Sequence, residues 1–182
     1  LAVNVITNQL QEMVQKQRIL EAIENEITSN MVNAYVRIET NNKHENELVE
    51  YLNVSIGYSS DIWTQSTEPL QYVAQLEPDV QSQINIYYGL NVKVANSWVD
   101  EANKLHDKYQ EVCFDEALAR QNIFDRCLAL SKMIRDTESI AAETMISGGL
   151  KLNKIFHPTK DRLNNRLLKL FMGDKSMKIL SN

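Results

Sequence analysis

A chain of 182 residues, 43% of them apolar, is long enough for one domain to bury a core without help from disulfides or metals. Only 5 Gly and 3 Pro leave few places where the backbone turns sharply at low cost, which predicts long helices joined by few connections. The net charge of −5, from 19 basic and 24 acidic residues, favours solubility and argues against a general nucleic-acid-binding role. Leu1 in place of Met points to upstream sequence that has been removed, and no continuous apolar run of about 18 residues is present to span a bilayer.

From Ile6 onward, Leu10, Met13, Leu20, Ile23, Ile27, Met31, Ala34 and Ile38 fall on one stripe of a long first helix. The apolar-free run 41–46 ends it, because Asn competes for backbone hydrogen bonds and favours caps. A second helical segment is predicted from Glu45 through Leu48, Leu52 and Ile56, with Gly57 as a candidate kink before Ile62 and Trp63. Ser66-Thr67-Glu68-Pro69 supplies a capping hydroxyl and a proline at a helix start, predicting a short helix from Leu70 to Gln75.

Glu77-Pro78-Asp79 repeats that device and opens the most periodic segment, where Val80, Ile84, Tyr87, Val94, Trp98, Ala102, Leu105, Tyr109 and Val112 recur at helical steps. Gly89 inside it costs about 1 kcal/mol relative to alanine, which the packing of so long a stripe offsets. A fourth helix is predicted from Asp115 to Met145, with Phe124, Cys127, Leu128, Ile134, Ala141 and Met145 on one face and Gly148-Gly149 at its end. After His157-Pro158, Thr159 caps a last amphipathic helix that Gly173 stops. With no internal repeat or interdomain linker, the prediction is one all-α domain over 1–182, an antiparallel bundle of three long helices plus several short ones.

Charge is unevenly placed. Residues 151–182 hold eight basic side chains against two acidic ones, while 11 basic and 22 acidic residues precede them. Within the basic segment 151–178, Lys160, Arg162, Arg166 and Lys169 form one polar face opposite Leu163, Leu167, Leu170 and Phe171. That face either packs on the acidic bundle or docks a partner or membrane surface.

Little in the sequence carries chemistry. The lone Gly-Gly pair lacks the context of a phosphate-cradling loop, and no His has the Glu three residues before it that a di-iron bundle needs. His44 lies in a polar turn, His157 precedes proline, and His106 lies at the edge of the aromatic stripe, where a structural role is favoured over acid–base work. The carboxylates at Glu21, Glu24 and Glu26 and at Asp100 and Glu101 read as solvated charge rather than a paired-acid site. No catalytic residue, cofactor or metal site is assigned.

Tyr87, Trp98 and Tyr109 are candidates to line a ligand groove, although aromatics at helical spacing are more often core. The spacing of Cys113 and Cys127 fits neither a zinc nor a thioredoxin-type motif. On one continuous helix their fourteen-residue separation spans roughly 21 Å, too far for a bond. A disulfide therefore requires the chain to fold back between them, and the alternative is two packed thiols.

The opening Leu1-Ala2-Val3-Asn4-Val5, then Leu20-Glu21-Ala22-Ile23-Glu24-Asn25-Glu26-Ile27 with Asn30 after it, resembles a group of uncharacterised bacterial single-pass membrane proteins. Ile62-Trp63 through Pro69-Leu70, Leu76 and Pro78, then Ile86-Tyr87-Tyr88-Gly89-Leu90-Asn91, is similar to a second landmark of that group. Together they cover about half the chain, with nothing recognised after Asn96. The resemblance implies a membrane anchor upstream of Leu1 and an all-helical domain on the extracytoplasmic side of the inner membrane. It makes a Cys113–Cys127 disulfide chemically permissible, since an oxidising compartment allows one.

The expected function is a non-enzymatic, membrane-tethered helical domain that acts in protein interaction or envelope signalling, through an unidentified protein partner or by forming a homodimer. The alternative is a sensor-like bundle binding a small molecule, and a cytoplasmic location is the alternative to the envelope.

Overall fold

The computed structural model describes the backbone of residues 2–49, 55–64, 71–114 and 121–172, and the side chains of 7–49, 55–64, 71–114 and 123–156. These residues form α1 (Ala2–Lys43), α2 (Asp61–Thr64), α3 (Pro78–Ile86), a π-helical turn (Tyr87–Val92), α4 (Lys93–Cys113) and α5 (Gln121–Met172). No strand occurs among the described residues, and the class is all-α. α3, the π turn and α4 follow one another without a break, so the molecule is built on three long rods.

The central rod is α5, which packs along both α1 and α4. Contacts fix the directions. Arg37 meets Glu138, and Asn41 reaches the carbonyl of Arg135, so α1 and α5 are antiparallel. Cys113 is bonded to Cys127 and His106 lies against Glu138, so α4 and α5 are antiparallel too. The N-terminal end of α1 and the C-terminal end of α5 therefore lie at the same end of the bundle. The main core gathers Ile23 and Ile27 of α1, Ile84, Tyr87, Ala95 and Val99 of the middle rod, and Ala141, Met145, Leu152 and Phe156 of α5. A smaller cluster of Tyr109, Cys127, Leu130 and Ile134 closes the disulfide end.

Three predicted features are corrected. Glu45 to Ile56 is not helical where described: residues 44–47 turn, and 48–49 and 55–60 have no regular structure. The short helix predicted from Leu70 to Gln75 is helical at 71–73 and already a turn at 74–75, with residues 65–70 outside the described set. Gly148-Gly149 does not end a helix, nor does a new one begin at Thr159, because α5 runs through both glycines and Pro158 to Met172. Neither glycine has the left-handed φ of a helix stop. Both are buried for close approach: a Cβ on Gly148 would meet the Asn91 side chain at 2.6 Å, and one on Gly149 would overlap the Met31 sulfur.

The stripe on the middle rod also differs. Val80, Ile84, Tyr87, Ala102 and Tyr109 are buried as expected, but Tyr88, Val92, Ala95, Val99 and His106 are buried with them while Val94 and Trp98 are not. The π turn inserts one residue, so the inward face moves on by about 100°. Trp98 is thereby carried outward and is 38% exposed.

Candidate functional site

Because α1 and α4 both lean on α5, the groove between them needs a filler. The chain supplies one in the non-helical strap 55–60, which enters from the disulfide half and leaves toward α2. A buried backbone without a helix must find partners for its N–H and C=O groups, and here helix side chains provide them.

Asn103 on α4 accepts from the Ser55 N–H (2.8 Å) and donates to the Ser55 carbonyl (3.2 Å). Asn96, two turns earlier, treats Tyr58 alike at 2.7 and 3.0 Å. Asn30 on α1 does the same for Ser59, both bonds at 2.9 Å. Each amide stands where a neighbouring β-strand would, since a hydrogen-bonded strand pair exchanges the same two bonds. Arg37 donates to the Ile56 carbonyl at 3.3 Å. Upstream, Arg135 donates to the carbonyls of Glu45 and Glu47, and the Val49 N–H donates to Ser131 Oγ.

Two polar layers, one buried and one half-buried, lie under this strap. In the first, Glu26 accepts from Ser59 Oγ at 2.5 Å, the Ile62 N–H at 3.3 Å and Tyr88 OH at 2.7 Å. No cation pairs with it among the described residues, so three neutral donors balance a carboxyl that is only 9% exposed. Burial, and then the bond to Glu26, push the Tyr88 phenol far above its ordinary value, which keeps it a donor. Trp63 stacks on Tyr88 (centroids 5.1 Å, planes 6° apart), and Tyr87 meets Tyr88 edge-on at 5.0 Å.

The second layer centres on Glu138 of α5. Its Oε1 accepts from Ser55 Oγ and from Arg37 Nη1 (3.2 Å), and His106 Nε2 lies 3.9 Å away. Burial pushes this carboxyl up, but the combined pull of His106, Ser55, Arg37 and Asn41 outweighs it and holds the group below its ordinary value. Ser, His and Glu here do not form a nucleophilic relay. The serine hydroxyl is turned to the carboxylate, and neither nitrogen of the buried His106 ring has a hydrogen-bond partner. Tyr58 OH is likewise buried without a partner. Cavities open on two sides of Glu138: one of about 670 Å³ between α1, the strap and α5, and one of about 440 Å³ that reaches His106 and Arg135.

The predicted groove residues are not brought together. Tyr87 is in the main core, Tyr109 in the smaller cluster, and Trp98 faces outward, so none of them lines either cavity. Lys160, Arg162, Arg166 and Lys169 fall on the helical backbone of α5, with side chains outside the described residues. Cys113 and Cys127 are joined, with Cα atoms 5.9 Å apart. Among the described residues no cluster of His, Cys, Asp or Glu could hold a metal ion, and no helix is long and apolar enough to cross a membrane.

The residues that build the site, Asn30, Arg37, Asn96, Asn103 and Glu138, carry no motif. The signal available was thermodynamic: Asn is unfavourable inside helices, so three asparagines facing the interior of long helices mark a demand for amide groups. No family model, curated protein or solved structure matches this chain.

Proposed function

We propose that this chain is a non-enzymatic helical domain of the bacterial envelope, tethered on the extracytoplasmic side of the inner membrane, that relays a contact or signal along its two longest helices. The observation that carries this reading is the layout of α1 (42 residues) and α5 (52 residues), antiparallel neighbours whose N- and C-terminal ends lie together. At 1.5 Å per residue they are about 63 and 78 Å long, so a small sliding of one on the other in the core is delivered intact to that shared end. The anchor implied upstream of Leu1 belongs at the same end.

Two further features support the reading. A disulfide between Cys113 and Cys127 suits an oxidising compartment rather than the cytosol. The polar groups around Glu138 are engaged with one another and with backbone carbonyls, an arrangement that favours binding and shape over bond-breaking. The partner that receives the signal is another protein or a second copy of this chain.

Fractionation of cells carrying the full-length protein, followed by protease treatment of intact spheroplasts, tests the tether. Membrane association with digestion from outside is the expected result; a full-length protein in the soluble cytoplasmic fraction overturns it.

A further inference from the structure

The cavity of about 670 Å³ between α1, the strap and α5 has the size of a small-molecule site. Its described lining carries one positive and one negative side chain, Arg37 and Glu138. These charges cancel, so neither a net anion nor a net cation is favoured as the occupant. They also lie side by side, with Nη1 and Oε1 3.2 Å apart.

An α-amino acid carries its ammonium and carboxylate on a single carbon, so its two charges are neighbours as well. Arg37 has five N–H donors and commits Nη1 to Glu138 and Nη2 to the Ile56 carbonyl, which leaves capacity for a ligand carboxylate. Glu138 remains ionised at neutral pH, because its donors hold its carboxyl below the usual range. Val36 and Ile56, 56% and 79% exposed, put apolar surface at the rim where a ligand side chain would emerge.

We infer that this cavity binds a free α-amino acid with an apolar side chain, its carboxylate on Arg37, its ammonium on Glu138 and its side chain against Val36 and Ile56. The inference supplies a ligand class for the signalling role proposed above. Binding by the purified chain and tethering in cells are measured separately, so either can fail alone.

The test is calorimetric titration of the purified chain with L-leucine, L-valine, L-isoleucine, L-methionine and L-phenylalanine, and then with N-acetyl-L-leucine and L-leucinamide. At least one free amino acid binds, and each capped form, having lost one charge, binds about tenfold more weakly or worse, as expected for loss of one charge-assisted hydrogen bond. Val36→Trp, placed at an exposed helical position to fill the mouth of the cavity, keeps the helical circular dichroism of the parent and loses binding. Asn33→Trp on the same rim is the second variant should Val36→Trp misfold. No binding by any of the five, equal binding of the capped forms, or full binding by a folded rim variant overturns the inference.

Discussion

Asparagine is an unusual choice for the inner face of a helix, because its side chain competes with the backbone for hydrogen bonds. Here it is the residue that lets a partly buried, non-helical strap pack against the helices. Replacing Asn96 with Ala strands both the N–H and the carbonyl of Tyr58, at a cost of about 2–4 kcal/mol for two partly buried groups; urea unfolding of N96A measures it, and a loss below about 0.5 kcal/mol would mean the clamp is idle. Glu138 makes a pH-dependent contribution. Its folded value lies below the ordinary 4.5, so the stability it adds is complete above that value and disappears as pH falls through the lower folded one. Wild-type protein should therefore lose stability on acidification below about pH 4.5 more steeply than Glu138→Gln, as melting curves taken across that window will report.

At the scale of elements, the helical stripes of α1 and of the first half of the middle rod were legible from periodicity, since burial and the 3.6-residue repeat coincide there. The slip at Tyr87–Val92 was not read, although it leaves a trace: two stripes of regular step, offset by one residue where Tyr87 and Tyr88 are both buried. Leu48, Leu52 and Ile56 have helical spacing and so predict a helix, while the side chains that hold the strap's backbone open lie 19 to 48 residues away in sequence. Distant side chains leave no local mark. Glycine roles were confused for a related reason, since a helix stop and a close helix approach both select Gly. The distinction is testable by thermal melting: Gly89→Ala has open space around the new Cβ and should stabilise by up to about 1 kcal/mol, whereas Gly148→Ala meets Asn91 and should destabilise by about 1–3 kcal/mol despite its better propensity. Equal effects at the two sites would remove the packing explanation.

For the molecule as a whole, composition gave the class correctly because few Gly and Pro leave little alternative to long rods, but the candidate site was almost illegible. Its charges, Arg37 and Glu138, come from helices 101 residues apart in sequence and meet only because α1 and α5 are antiparallel. That arrangement also sets the two long ends together, and the separate antiparallel pairing of α4 with α5 turns the chain back so that Cys113 reaches Cys127. The extracytoplasmic location proposed above predicts that this bond forms in the cell. The most direct measurement is acid-trapping of cells expressing the full-length protein, followed by maleimide labelling of Cys113 and Cys127 before and after reduction. The account predicts that neither thiol labels until reductant is added; immediate labelling of both in trapped cells would place the domain in a reducing compartment and contradict it.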